Sequence, residues 1–314
     1  MTPTHDYDFK IGLALGGGGA RGFAHLSVLK VLEEAGIPVH VIAGTSMGAL
    51  MGALYAQAGS AAAAEDQLLR VFRQKGSSVR FLSAYTTEKK GDHFLTYVAQ
   101  TVAQRIIINL SLNRRSLLSA ARLEAAVADL VDEGRLEDLP LPLGAVATDL
   151  RSGKGVVLTR GPIRKAVTAS SAIPGFFPPI PWGDMLLCDG EVTDLIPVEA
   201  CYALGADFVI AVDVNRQLER MPALRNTLDM FLRSIRITVH HYGEISVSKA
   251  GFLLRPDSQD IAWADFSRLP EMMAFGEAVA RENLPALHDA LRNPALRRKH
   301  YNEDEFMETH LVVA

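Results

Sequence analysis

The sequence is poor in cysteine and carries no large excess of charge, and each shortage argues against a class of protein. Its 314 residues include only two cysteines, Cys188 and Cys201, without CxxC spacing, which argues against a disulfide framework or a zinc knuckle and favours a reducing compartment. The formal net charge is −4, so no basic field points to nucleic acid. HExxH and Walker A motifs are missing, and we expect neither a metal nor a cofactor.

Signals for export or membrane insertion are missing from the pattern as well. The first ten residues contain two acids before the first lysine, which does not match a signal peptide. Residues 41–64 contain no charge but consist mostly of Ala, Gly, Ser and Thr, which insert poorly into a bilayer. A buried strand, a turn and a buried helix explain this stretch better.

Apolar runs that alternate with helical patterns predict an α/β fold with a parallel sheet. An apolar run at 10–15 ends in glycines, a helical pattern follows at 20–35, and a second apolar run at 39–44 precedes an apolar helix at 47–58. This order is typical of parallel strands covered by helices. Further strands are predicted at LPLGAVATDL, GKGVVLTRG, MLLCDG, DFVIAVDVN and 250–255, and further helices at 222–248 and 270–293.

The pattern divides the chain into one domain and a tail. Residues 10–285 are predicted to form a single domain, within which 60–137 is more polar and mainly helical. Residues 286–314 form a C-terminal tail that mixes charges of both signs. We expect its last part, 296–314, to be solvated or loosely ordered.

The sequence Gly44-Thr45-Ser46-Met47-Gly48 matches GxSxG between an apolar strand and an apolar helix. This is the context of a nucleophile elbow, in which glycines relieve steric clashes around a strained serine. The helix that starts at Met47 directs its N-terminal dipole toward Ser46 and any oxyanion formed there. The alternative is a glycine-rich turn that only packs a strand against a helix.

A cluster of glycines follows the first strand and admits two interpretations. Its residues are Gly16, Gly17, Gly18 and Gly19, followed by Arg21 and Gly22. GxGxxG spacing suggests a dinucleotide site, but no acid ends the second strand, where such a site needs one. The alternative is an oxyanion hole of glycine amides beside Ser46. Arg21 would face a phosphate or the oxyanion, or form a surface salt bridge.

Asp189-Gly190-Glu191 follows the apolar run MLLC and offers a general base. We expect the turn to expose the carboxylate of Asp189, although Asp-Gly is also an ordinary turn sequence. The histidines beyond Asp189 lie in predicted helices or in the tail, so a Ser–acid–His triad has no suitable histidine. A dyad of Ser46 and Asp189 therefore fits better.

Six segments together resemble the patatin-like phospholipase family, especially its compact bacterial members. They are GLALGGGGARGFAHLSVLKVLEE, GTSMGAL, ATDLRSGKGVVLTRG, ASSAIPGFFPP, DGEVTDLIPV and GADFVIAVDV. The resemblance implies a three-layer α/β/α sandwich with a mainly parallel central sheet. It also implies hydrolysis of lipid acyl esters (phospholipid, lysophospholipid or a similar ester) by Ser46 as nucleophile and Asp189 as base. The glycine loop would be the oxyanion hole, and 60–137 a lid-like cap.

The sequence departs from the family pattern at Glu191, where the family has Gly or Ala, and at Ser27 in the first helix. Glu191 places a second carboxylate near the proposed base. Two other functions stay open, namely an acyltransferase that uses the same acyl-enzyme and a weakly catalytic module that binds acyl lipid or a protein partner.

Two segments are candidates for contact with lipid. The proline-rich loop offers an acyl pocket or entrance, or else a buried structural turn, with apolar side chains Ile173, Phe176, Phe177, Ile180 and Trp182. The apolar and basic segment 105–122 suits an anionic membrane surface, or else an amphipathic core element. We expect a cytoplasmic protein that contacts the inner membrane only peripherally.

Overall fold

The computed structural model describes residues 7–74, 116, 118–215, 218, 227–258, 261–298 and 301–313. The strands are β1 Ile11–Leu15, β2 Val41–Thr45, β3 Leu143–Asp149, β4 Gly155–Leu158, β5 Ile180–Trp182, β6 Met185–Asp189, β7 Phe208–Val212, β8 Phe252–Leu254 and β9 His310–Val313. The helices are α1 Ala24–Glu34, α2 Met47–Ala58, α3 Ala61–Arg73, α4 Ala120–Leu130, α5 Ile163–Ser170, α6 Val198–Ala203, α7 Thr227–Ser248, α8 Leu269–Leu291 and α9 Glu303–Thr309.

The strands form one sheet in the order β5-β6-β3-β2-β1-β7-β8; off this path, β4 pairs with β3, and β9 pairs with β4. The pairs β3–β2, β2–β1, β1–β7 and β7–β8 are all parallel. The connection from β1 to β2 contains α1, as expected because parallel neighbours need a crossover. The predicted parallel sheet is therefore confirmed.

The side chains of the central strands alternate between two hydrophobic cores. Ile11, Leu13 and Leu15 of β1 lie in the larger core with α1, α2, α3 and α8. Ala14 of the same strand lies in the smaller core with α6 and α9. Since successive residues of a strand point to opposite faces, helices cover both faces of the sheet. The predicted three-layer α/β/α sandwich is thus confirmed.

Strand β3 pairs with three other strands, and this arrangement positions the site. It pairs with β2 through 143–146, with β4 through 145–148 and with β6 through 147–149. Because β2 and β4 pair with some of the same residues, they must occupy opposite edges of β3. Strands β4 and β6 overlap in the same way, so β6 lies on the edge that β2 occupies.

The carboxyl ends of β2 and β6 meet on that edge. Strand β2 runs parallel to β3 and β6 runs antiparallel to it, so the two strands point toward each other. Thr45 pairs with Val146, and Asp189 pairs with Ala147, the next residue of β3. Ser46 follows Thr45 directly, and the fold therefore brings Ser46 and Asp189 together across 143 positions of sequence.

The C-terminal tail differs from the sequence-based expectation. Within it, α9 packs Phe306 into the smaller core with 2% of its surface exposed, and β9 adds a parallel strand to β4. The expectation of a solvated or loosely ordered tail is therefore wrong for 301–313. The sequence around Phe306 is dominated by charged residues, so it gives no pattern from which a helix that buries this one aromatic side chain could be predicted.

The segment 60–137 is described only at its two ends. Helix α3 packs Leu68 and Val71, and helix α4 packs Leu123 and Val127, into the larger core. The rest of the predicted cap and most of the segment 105–122 lie outside the described residues. Among the residues that are described, no helix has the length and apolar character needed to cross a bilayer.

Candidate active site

Ser46 occupies a strained turn between β2 and α2. Its φ and ψ are 54° and −118°, a region that residues with a side chain rarely adopt. A Cβ at Gly48 would overlap the carbonyl oxygen of Leu15, and one at Gly44 would overlap the backbone of Gly48. Both glycines of the motif are therefore required by close backbone contacts, and the geometry is that of a nucleophile elbow.

Asp189 ends β6 and is buried, with 1% of its surface exposed, so the expectation that the turn exposes its carboxylate is wrong. Its Oδ1 accepts the backbone N–H of Glu191 at 2.9 Å, while Oδ2 has no well-formed hydrogen bond among the described residues. Burial and then the charge of Glu191 raise the pKa of Asp189 well above its usual range, and the Glu191 N–H and the Ser46 hydroxyl oppose that rise. A Cβ at Gly190 would overlap the carbonyl oxygen of Val146.

Glu191 lies beside the base in a second cavity of about 150 Å³, which Arg21 and Arg236 also line. Burial raises the pKa of Glu191, and the charges of Arg21 and Arg236 act against this rise. Arg21 is itself buried and donates its Nε–H to the carbonyl oxygen of Gly18 at 3.2 Å. The Arg21 side chain thus contacts the glycine loop from a cavity other than that at Ser46.

The glycine loop uses two of its amides for internal hydrogen bonds. Gly16 donates its N–H to Val212 at 3.1 Å, and Gly17 donates to Leu195 at 2.9 Å. The amides of Gly18 and Gly19 have no acceptor among the described residues. Of the four glycine amides that the sequence predicts as oxyanion donors, only those of Gly18 and Gly19 are therefore not used in such hydrogen bonds within the described part of the chain.

Met47 offers a further backbone amide without an acceptor in its own helix. Its amide is the first of α2, and the first amides of a helix have no acceptor within the helix. Met47 packs closely against Gly22, because a Cβ at Gly22 would overlap the side chain of Met47. The sequence interpretation considered only the dipole of this helix and missed the amide itself.

Two side chains that the sequence interpretation did not assign hold the glycine loop in place. Asn215 Nδ2 donates to the carbonyl oxygen of Gly17 at 2.9 Å, and His25 Nε2 lies 2.8 Å from the carbonyl oxygen of Gly16. Burial lowers the pKa of His25 to about 4, so the ring is neutral at pH 7. Since a carbonyl oxygen only accepts, Nε2 carries the proton.

Ser170 fixes the backbone of Ser46. Its Oγ accepts the N–H of Ser46 at 2.9 Å and donates to the carbonyl oxygen of Val146 at 2.5 Å. Ser170 is fully buried at the end of α5. The motif ASSAIPGFFPP pointed to this region, but nothing in the sequence shows that the hydroxyl contacts Ser46.

An apolar cavity of about 90 Å³ opens beside Ser46. Its described lining residues are mostly hydrophobic and come from α2, α4, the proline-rich loop and 263–266. Of the predicted loop residues, Ile173, Phe176 and Phe177 line this cavity. Ile180 and Trp182 lie in β5 instead, and Lys165 Nζ is 5.1 Å from the centroid of a Trp182 ring. Within the described part of the chain, no group of metal-ligating side chains is close enough to hold an ion.

Comparisons with known proteins identify relatives of this chain. The family model described as Patatin-like phospholipase matches residues 13–202. An uncharacterized NTE family protein of Mycobacterium tuberculosis is 36% identical over 209 residues, which are 66% of this chain and 49% of the relative. Patatin-like phospholipase domain-containing protein 7 of Rattus norvegicus is 33% identical over 211 residues, which are 67% of this chain and 14% of the relative.

The chain thus spans about half the length of its mycobacterial relative. Among solved structures, VipD from Legionella pneumophila aligns with a TM-score of 0.46 at 13% identity, covering 98% of this chain and 72% of that one.

Proposed function

Because this chain belongs to the patatin-like phospholipase family, we propose that it is a serine hydrolase that cleaves acyl esters of lipids, as a phospholipase A or lysophospholipase does. The observation that carries the proposal is the position of Ser46, strained and buried, on the wall of an apolar cavity and beside the carboxyl of Asp189. An apolar wall suits the acyl chain, and the strained serine suits attack on the ester carbonyl.

In the proposed reaction Asp189 is the general base. Its ionised carboxylate takes the proton from the Ser46 hydroxyl as Oγ attacks the carbonyl carbon. The raised pKa of Asp189 makes the carboxylate a stronger base, but it also leaves less of it ionised at neutral pH. The acid then gives its proton to the leaving alcohol, and water hydrolyses the acyl-enzyme by the same steps in reverse.

The oxyanion is stabilised by backbone amides in this proposal. Gly18, Gly19 and Met47 supply the donors, and the N-terminus of α2 adds its dipole. Gly16 and Gly17 shape the loop through their own hydrogen bonds. Arg21 keeps the loop in position by donating to Gly18 rather than by contacting the oxyanion.

Two alternatives have some structural support. The apolar cavity holds few groups that would bind water, which favours transfer of the acyl group to another alcohol. The pair Asp189 and Glu191, with both pKa values raised, favours a weakly catalytic module that binds acyl lipid. Peripheral membrane contact stays a prediction, since most of the segment that suggested it lies outside the described residues.

A hydrolysis assay on a panel of lipids tests the proposal. Wild type should release fatty acid from at least one phospholipid, lysophospholipid or acylglycerol, and Ser46→Ala should not. Adding lysolipid or alcohol as an acceptor separates the alternatives, because a transferase would form a new ester at the expense of fatty acid. Lipid binding without any acyl product from wild type would contradict both enzymatic functions.

A further inference from the structure

The three residues Ser170, Ser171 and Ala172 connect the nucleophile to the base. Ser170 accepts the backbone N–H of Ser46 at 2.9 Å. Ala172 accepts the backbone N–H of Asp189 at 3.0 Å through its carbonyl oxygen. Ser171 lies between Ser170 and Ala172 in sequence. Its backbone is therefore flanked by a contact to Ser46 on one side and a contact to Asp189 on the other.

The hydroxyl of Ser171 has no partner in the described structure. Its Oγ is buried and makes no hydrogen bond. The residue lines the same cavity as Ser46, and these two residues carry the only hydroxyl groups among the described lining residues. A buried polar group without a partner costs folding free energy, and such a cost is tolerated where a ligand supplies the partner.

We propose that the Ser171 hydroxyl donates a hydrogen bond to the alkoxy oxygen of the scissile ester. The inference rests on the proposed function above. An ester presents two oxygens at the reacting carbon, and the amides of the glycine loop and α2 take the carbonyl oxygen. The alkoxy oxygen must lie near Asp189, which protonates it. The backbone hydrogen bond from Asp189 to Ala172 holds the neighbouring Ser171 close to Asp189, and thus close to the alkoxy oxygen.

The hydrogen bond acts when the tetrahedral intermediate collapses. The electron pair on the oxyanion re-forms the carbonyl, the bond between carbon and the alkoxy oxygen breaks, and the proton on Asp189 moves to that oxygen. Ser171 keeps its own proton throughout and stabilises the negative charge that develops on the leaving oxygen. This contribution grows with the basicity of the leaving group, because a more basic oxygen carries more charge in the transition state.

The test compares two esters of one acyl chain, a monoacylglycerol and a p-nitrophenyl ester. For Ser171→Ala, we expect kcat/KM to fall about 10- to 100-fold on the monoacylglycerol and less than about 3-fold on the p-nitrophenyl ester, since the nitrophenolate leaves without help. The thermal midpoint of the variant should equal or exceed that of wild type, because an unpartnered hydroxyl has been removed.

Ser171→Thr and Ser171→Val form the matched control, because they share one shape and differ only in the hydroxyl. Ser171→Thr should keep most of the wild-type kcat/KM on the monoacylglycerol, and Ser171→Val should lose it as Ser171→Ala does. Equal losses on both esters would indicate a structural role, and no loss on either would show that Ser171 does not contact the ester; both results overturn the inference alone. If wild type cleaves another lipid of the panel instead, that lipid replaces the monoacylglycerol in the test. Wild type that hydrolyses neither of these esters nor any lipid of the panel would overturn the proposed function together with the inference.

Discussion

Ser46 directly follows β2 and Asp189 ends β6, and these two strands run toward each other and end opposite neighbouring residues of β3. Thr45 pairs with Val146, and Asp189 pairs with Ala147. The proposed dyad therefore depends on one strand that accepts a parallel and an antiparallel partner on the same edge. Any change that shifts the register of β6 moves the base away from the nucleophile.

The first prediction is that Ser46 and Asp189 act as one unit. Ser46→Ala and Asp189→Asn should each lower kcat/KM on the order of 10³-fold or more, and the double variant should lose little beyond either single one. Steady-state kinetics on one lipid ester measure all three variants. Losses that multiply in the double variant would mean that the two residues act independently.

The second prediction concerns the pH dependence set by Glu191. Asp189 must lose its proton to act as a base, so kcat/KM should rise with pH through its raised pKa. Glu191→Gln removes a negative charge beside Asp189 and leaves Arg21 and Arg236 in place. The pKa of Asp189 should fall, and the acid limb of the kcat/KM profile should move to lower pH.

A matched control for that profile is Glu308→Gln, which removes an exposed carboxylate from α9. Its acid limb should coincide with that of wild type. If Glu191→Gln also leaves the limb in place, the charge of Glu191 does not set the pKa of the base.

Ser170 provides the third prediction, because its hydroxyl is the acceptor for the Ser46 N–H. Ser170→Ala leaves that buried N–H unpaired and should lower the free energy of unfolding by about 1–3 kcal/mol. The nucleophile would also lose its fixed backbone, so kcat should fall more than KM rises. Urea denaturation and steady-state kinetics measure the two effects.

Thr168→Val is the control for this variant, since Thr168 lies on the same helix and its buried hydroxyl has no partner in the described structure. This substitution should leave the free energy of unfolding unchanged or slightly higher, with normal kcat. Our account of Ser170 would be wrong if the two variants behaved alike.

The fourth prediction addresses the C-terminal helix and strand. Phe306 is 2% exposed and stacks on His310 with ring centroids 4.4 Å apart. Phe306→Ala should lower the free energy of unfolding by about 3–5 kcal/mol. Its neighbour Met307 is 42% exposed, and Met307→Ala should cost less than about 0.5 kcal/mol. If urea denaturation gave the same small change in the free energy of unfolding for both variants, Phe306 would not contribute to the core.

Features that depend on neighbouring residues in the chain could be predicted from the sequence. The glycine loop, the GxSxG turn and the Asp-Gly turn each follow an apolar strand, and each strand predicts where the next residue emerges. The parallel sheet and its two helical layers followed from the alternation of the first four elements.

Features that depend on distant contacts could not be predicted in this way. The bonds from Gly16 to Val212 and from Gly17 to Leu195 remove two predicted oxyanion donors, and they join parts of the chain about 180 residues or more apart. The side chains of 263–266 reach the cavity from beyond β8. Strand β9 could not be predicted from its sequence, because its partner β4 lies about 150 residues earlier and the residues just before β9 are highly charged.

Covalent labelling of Ser46 tests the central claim most directly. We expect a fluorophosphonate probe to add one adduct per chain in an intact-mass spectrum, with the modified peptide mapping to Ser46. Ser46→Ala should remain unlabelled, and Asp189→Asn should react much more slowly because it lacks the base. An unlabelled wild type, or labelling that persists in Ser46→Ala, would contradict the account of Ser46 as the activated nucleophile.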